Sequence, residues 1–421
     1  MRYVVENMWA LLLGMLLLQV GNGLQGTLLA VRGDIEGFSP GMLSLIMSGY
    51  FVGFLGGSRV TPWMIRRVGH VRVFAALASF ISAIFILYAI LPNPIAWILL
   101  RVAVGFCFCG VYVVAESWLN DIATNETRGQ ALSSYLIVQM AGIIAAQSFV
   151  NFADPSGYEL FIIISVLVSI SFAPILLSVS PAPAFQRTKP MSLKALYRVS
   201  PLGCVGMFLL GSLFAALFGM SAVYATQKGL SLSDLSIFVA TIYIGGLILQ
   251  YPIGYISDRM DRRLLISGIT GGGAAMIAIG SQFTGDFGVI LILAFLMGGI
   301  SNPLYSLLIA YTNDYLEHDD MTAASGGLLF LNGVGAIIGP LIVGLMMDRF
   351  GADIYFTFVA CILAIIGIYA AYRMTQRPSP TTEETASYSA LTPQATAVAV
   401  EVAQEIAIEQ AVDAELDQND T

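Results

Sequence analysis

Two ionisable side chains lie deep in an otherwise apolar run. Arg101 sits in PIAWILLRVAVGF and Glu116 follows fifteen positions later in GVYVVAESW. On a helix, ~1.5 Å of rise per residue puts them about 22 Å apart, too far to pair. Placing an Arg on an apolar helix in lipid costs about 2.5–3.5 kcal/mol even on the lowest scales, so its presence needs a reason. Two roles fit Arg101. Its guanidinium snorkels to the interface, about 10 Å away near Pro94, or it faces an internal cavity, where it attracts an anionic group or couples to protons. Tyr112, eleven residues on, comes round to the same helical face. Glu116 falls toward the other end of this span, near Arg66, Arg67 and Arg128. There it either pairs across a gate or caps the helix end.

Uncharged polar residues add a second pattern. Gln19, Asn22 and Gln25 recur every three residues and form one stripe, which in lipid must face protein or water. Cavity lining and interhelical hydrogen bonding fit it equally. Tyr243, Asn302, Tyr305 and Asn332 are comparable candidates later in the chain. Nothing assembles a catalytic or metal centre. His70 and His318 fall in short polar loops, and Cys107, Cys109, Cys204 and Cys361 lie in apolar runs without zinc spacing. GNGLQG at 21–26 fits G-x-G-x-x-G in letters, but no strand precedes it, so the nucleotide reading fails its context test. No cofactor, metal or nucleic acid is expected, and an enzyme is the least favoured class.

These residues need a scaffold that crosses lipid. Apolar residues make up 57% of the 421 and charged ones only 11%, with a mean hydropathy of +0.80. Average soluble domains carry about 25% charged residues. Twelve apolar spans follow, at approximately 8–30, 41–62, 71–91, 95–119, 131–151, 158–178, 201–225, 233–255, 264–283, 287–312, 324–347 and 353–374. Each should be helical, since lipid leaves no other partner for the backbone. With the N-terminus in the cytoplasm, fifteen Lys and Arg residues from Arg2 to Arg377 are cytoplasmic, and only Arg32, Lys228 and Arg349 face outward. That asymmetry predicts a multi-pass protein of the cell's inner membrane with both termini cytoplasmic. The net charge of −8 is a property of the tail, where Pro378–Thr421 holds nine acids and no base. Glu401, Glu405, Glu409 and Asp413 recur every four residues. Like charges at that spacing repel, and the tail is expected to be solvated, partly helical and disordered, with a docking element as the alternative.

The spans divide six and six around a Pro-rich, basic linker at 179–200, whose MSLKALYRVS fits a short surface helix. The halves repeat. A shift of 192 places Gly37, Ser39, Ser44, Gly53 and Arg67 on Gly229, Ser231, Ser236, Gly245 and Arg259. A shift of 193 places Tyr112, Asn120 and Asp121 on Tyr305, Asn313 and Asp314. Internal duplication of a helical membrane unit is a mark of transporters. In this alignment Phe214 and Leu217 stand opposite Asn22 and Gln25, so the second-half wall is expected to be more apolar.

Between spans 8 and 9 lies GYISDRMDRR. Gly254, Asp258, Arg259, Arg262 and Arg263 resemble the signature loop of the major facilitator superfamily, with Asp261 where Gly is usual. The first-half copy departs further, with Arg66 at the Asp position. RVAVG at 101–105 is similar to that superfamily's fourth-span signature, and GYFVGFLGG, VVAESWLN and TRGQALSSY resemble its YcaD-like branch. The resemblance covers residues 1–376. It implies an all-α integral membrane fold of twelve helices in two pseudo-symmetric halves, 1–178 and 201–376, followed by the tail at 377–421. A secondary transporter working by alternating access, as a monomer, is expected. Its cargo would be a small polar or anionic solute, carried with protons. Rival readings are an exporter of amphipathic compounds and a transporter-like receptor with the tail as its output. The expected substrate or coupling residues are Arg101, Tyr112, Asn22, Gln25, Tyr243, Asn302 and Tyr305. The expected cytoplasmic gate comprises Arg66, Arg67, Glu116, Arg128, Asp258, Arg259 and Arg262, with Glu116–Arg67 and Asp258–Arg259 as its pairs.

Overall fold

The computed structural model describes residues 2–124, 127–177, 191–316, 318–377 and 388–406. The first half contains α1 (Arg2–Ile35), α2 (Pro40–Val68), α3 (His70–Ile90), α4 (Pro94–Ile122), α5 (Arg128–Phe149) and α6 (Glu159–Leu177). A short α7 (Leu193–Val199) precedes the second half. That half contains α8 (Pro201–Gln227), α9 (Leu232–Ser257), α10 (Arg262–Gly280), α11 (Phe287–Asn313), α12 (His318–Phe350) and α13 (Ile354–Met374). Residues 397–406 form a last helix, α14. Among the described residues, eleven helices are long and apolar enough to cross a membrane. The apolar part of α6, Glu159–Pro174, is shorter; it packs on α1 and α3 as the sixth member of its half.

The helix starts follow from local chemistry. Ser39 caps α2 by accepting from Met42 N, and Pro40 follows at the first helical position. Asn93 and Pro94 do the same for α4. A short polar acceptor satisfies N–H groups that have no helical partner, and Pro there gives up no hydrogen bond.

The duplication is visible in the backbone. Gly37 and Gly229, 192 positions apart, take φ of 78° and 74°. Around them Phe38 N donates to Gly33 O at 2.8 Å and Leu230 N to Ala225 O at 3.0 Å, the same helix-ending motif twice. Helix crossings repeat as well. A Cβ on Gly53 would overlap the Val102 carbonyl oxygen on α4, and one on Gly245 would overlap the Phe295 carbonyl oxygen on α11. Only glycine permits such close backbone approach.

The turns α2–α3, α4–α5, α9–α10 and α11–α12 lie at one end of the bundle, here termed the basic face. At the opposite end the halves touch directly. Gly41 N donates to Asp348 at 3.0 Å, Asn151 Nδ2 to Ser236 Oγ at 3.2 Å and Gln227 Nε2 to Asp34 at 2.7 Å. At the basic face the tail lies between the halves. This corrects the expectation of a disordered tail for 388–406; residues 407–421, with Glu409 and Asp413, lie outside the described residues. Leu391, Ala395, Ala399, Val400, Val402, Ala403 and Ile406 are buried. The reason is amphipathicity: AVAVEVAQEI at 397–406 carries its two acids on one side and small apolar residues on the other. The predicted linker helix appears as α7, with Leu196 buried against Gly327 of α12; linker residues 179–190 lie outside the described residues.

Candidate functional site

α4 carries two buried charges, each in its own polar pocket. Arg101 is 1% exposed, so its guanidinium is enclosed by protein and does not snorkel. Nη1 donates to Gln25 Oε1 at 2.6 Å, and Nη2 approaches Met47 Sδ at 3.6 Å. The guanidinium carbon stands 4.9 Å from the Tyr50 ring centroid, a cation–π contact. Among the described residues no carboxylate touches it. Arg101 Nε, Gln25 Nε2, Tyr50 Oη and Tyr88 Oη are buried without a well-formed hydrogen bond. A positive charge surrounded by under-used donors suits an incoming anionic group.

The span-1 stripe reaches the same region. Asn22 Nδ2 donates to Tyr112 Oη at 3.1 Å, and Tyr112 donates to Gln19 Oε1 at 2.8 Å. Gln19 Nε2 in turn donates to Gln139 Oε1 at 3.4 Å. Asn22, Gln25, Arg101 and Tyr112 therefore converge. The second-half candidates are more scattered. Asn302 Nδ2 meets Met140 Sδ at 3.6 Å across the halves, and Asn332 Nδ2 donates to Met207 O at 3.2 Å. Tyr243 and Tyr305 are buried. A cavity of about 480 Å³ lies between α2, α8, α12 and the tail, lined by Tyr50, Phe54, Phe214, Asn332, Arg59 and residues 393–397. Tyr50 thus links Arg101 to the space between the halves. Of the two residues expected in an apolar second-half wall, Phe214 lines this cavity.

Glu116, also 1% exposed, faces the tail. Its carboxylate accepts from Thr396 N at 3.2 Å and Ala399 N at 3.3 Å, from the Thr396 hydroxyl, and from Tyr135 Oη at 3.5 Å. The expected Glu116–Arg67 pair is not formed in this structure: Arg67 lies over the Trp63 ring at 5.4 Å, at the end of α2 beside Arg66. Asp258–Arg259 is not formed either. Asp258 pairs with Arg262 at 3.2 Å and accepts from Tyr388 N at 2.9 Å. Arg259 folds back on the Tyr255 ring, 3.5 Å away. The turn aims Arg262, not Arg259, inward to Asp258 and Asp314. Arg128 pairs with Glu405 of the tail at 3.1 Å.

The model of the Major Facilitator Superfamily matches residues 11–246 and again 202–407. The chain belongs to the major facilitator superfamily. The first match covers the first half and runs on into α9, and the second covers the second half. Among curated relatives, it is 24% identical to the MFS-type transporter YcaD of Escherichia coli O139:H28 (strain E24377A / ETEC) over 373 residues, 88% of this chain and 96% of that one. Among solved folds, the nucleoside transporter NupG superposes with a TM-score of 0.72 at 13% identity, over 90% of this chain and all of that one. The D-xylose-proton symporter gives 0.68 at 14%, over 91% and 99%. A bacterial homolog of the human lysosomal transporter Spinster, inward-facing and occupied, gives 0.68 at 15%, over 97% of each chain. The solved structures share the fold, and the family match gives the class, a major facilitator transporter.

Sequence reasoning missed Tyr50, Met47, Gln139, Ser306 and Thr396. Tyr50 and Met47 sit in an apolar run that reads as core. Asp314 was present only as a repeat match, and its role as the Arg262 partner needed the packing of α9, α10 and α11.

Proposed function

We propose that this major facilitator transporter carries a small anionic solute by alternating access, with the site centred on Arg101, Gln25, Tyr50, Asn22 and Tyr112. The observation that carries this reading is the enclosed guanidinium with no carboxylate in contact. A substrate anion would supply the missing partner, and the aromatic wall at Tyr50, Phe54 and Phe214 would hold an apolar body. Direct hydrogen bonds between the halves at the opposite face, with the tail and a cavity between them toward the basic face, support an inward-facing state. Lys and Arg asymmetry supports a cytoplasmic basic face in the cell's inner membrane. Glu116, buried beside the cleft, is the group best placed to carry a coupled proton. On closure of the basic face, Arg66, Arg67, Arg128, Asp258, Arg259 and Arg262 would come together as the gate.

The apolar cavity wall favours a second reading, export of amphipathic anions. Proteoliposomes with an imposed pH gradient separate the two. Uptake of small carboxylates or phosphates driven by an acidic exterior supports import. Accumulation of only bulky amphiphiles supports export. No movement of any anion would remove Arg101 from the substrate site.

A further inference from the structure

The tail is built to fit the space between the halves. Residues 388–406 reach both of them with side-chain and backbone hydrogen bonds. On the first half, Glu116 receives Thr396 and Ala399, and Thr392 Oγ1 meets Gln139 at 3.4 Å. On the second, Leu391 N donates to Ser306 Oγ at 2.9 Å and Gln404 Nε2 to Asn313 at 3.2 Å. Gln404 Oε1 also accepts from Ser325 Oγ at 2.7 Å. Tyr388, Ser389 and Ala390 close a second cavity between α5 and α9, while residues 393–397 close the one between α2 and α12.

The Glu116 contact is chemically selective. A carboxylate buried in a membrane protein needs a cation or several N–H donors. Among the described residues no Lys or Arg pairs with it, and the start of α14 supplies two N–H groups and a hydroxyl instead. The first turn of a helix carries unpaired donors and partial positive charge, so a carboxylate belongs there. Glu116 thus acts as an external cap for α14.

We propose that the mouth of the transport pathway is a binding site for the chain's own residues 388–406, anchored on Glu116, and that the docked tail blocks the pathway and wedges the halves apart on the basic face. The blocking role rests on the transport reading; the docking does not. While the segment is in place, the halves cannot close together there, and the solute that Arg101 attracts has no exit past residues 393–397. Release of the tail, by a partner or by loss of the Glu116 contact, would start the cycle.

Thiol labelling of the purified full chain with a membrane-impermeant maleimide, read position by position by peptide mass, tests both parts. Ala399→Cys, at a buried position, should label at least ~10-fold more slowly than Ala397→Cys, at an exposed one. Glu116→Ala should remove most of that protection. Asn332→Cys in the cavity wall should label faster when the chain ends at Arg377, and slow again when a peptide of residues 388–406 is added. Ala399→Pro, which removes one N–H donor to Glu116 at full length, should act like the truncation. Equal labelling at 397 and 399 would overturn docking, as would protection unaffected by Glu116→Ala. Unchanged Asn332→Cys labelling on truncation and with Ala399→Pro would overturn blocking. None of these readings needs a transported solute. A chain that passes them and still moves no anion would count against transport alone.

Discussion

Arg101 and Glu116 share α4, and both are about 1% exposed, yet they are satisfied in opposite ways. Arg101 has a neutral shell of Gln25, Met47 and Tyr50 and no counter-charge. Glu116 has donors supplied by a segment 280 or more positions away. An under-satisfied buried charge keeps a place for something that arrives and leaves. A satisfied one holds something already present. On the proposed function the two charges would serve different ligands: a solute anion at Arg101 and the protein's own tail at Glu116.

Arg101→Ala breaks the first side of the comparison and should have the largest effect. A charge-assisted contact contributes about 1.5–3 kcal/mol, so transport efficiency should fall ~10- to 150-fold. Stability should hold or rise, because Ala relieves the burial cost of the charge. Arg101→Lys keeps the charge but loses the planar fork, and should recover only part of the activity with a carboxylate or phosphate. Uptake together with melting temperature checks this pair. Normal uptake by the Ala variant would leave Arg101 a structural residue.

Glu116→Ala comes next and acts at the other ligand. With transport assayed on the same anion, loss of the tail's anchor should raise the initial rate several-fold if blocking dominates. If Glu116 also carries the coupled proton, the rate should rise only for movement down the anion's own gradient, while pH-driven accumulation disappears. A fall in both would mean that Glu116 serves the cycle more than it serves the tail.

The fold was largely legible because hydropathy and the 192-residue repeat report directly on lipid crossing and duplication; Gly37 and Gly229 repeat even in backbone angle. The Arg101 site was half legible. Gln25 and Tyr112 announce themselves as polar residues in an apolar run, whereas Tyr50 and Met47 contribute a ring face and a sulfur from positions that read as core. The gate pairs were not legible. In SDRMDRR several bases stand within reach of Asp258, and only the turn geometry selects Arg262. The tail was misread for a different reason. Its acids were counted over Pro378–Thr421, which hid the apolar face of 397–406, a stretch with only Glu401 and Glu405 as charges.

A smaller effect is expected from Arg128→Gln. The Arg128–Glu405 pair is half open to solvent at the tail's carboxylate, and exposed pairs contribute about 0.2–1 kcal/mol. The Ala399→Cys labelling ratio should therefore rise by no more than about fivefold. A change as large as that from Glu116→Ala would mean that the rim pair, not the buried carboxylate, holds the segment.

The mildest prediction concerns pH and sharpens what docked means. Burial, with a second push from the Glu405 charge, raises the Glu401 carboxyl from 4.5 to about 7. A raised acid pKa in the docked state means that docking takes up a proton. Docking is then strongest below the free carboxylate's range, weakens as pH climbs from about 4.5 to about 7, and is flat above that. Glu401 keeps partial solvent contact, which screens the effect, so a few-fold change in the 399-to-397 labelling ratio between pH 6 and 8 is expected. Taking the ratio cancels the pH dependence of the thiol itself. Glu401→Gln should flatten the profile and hold the tail more tightly at pH 8, because it keeps the shape without the charge. A tail that loosens toward acid instead would place the controlling proton elsewhere. Glu116 would be the first choice, since protonation there removes the acceptor on which α14 rests, and Glu116→Gln would then abolish the acid-side loosening while Glu401→Gln left it intact.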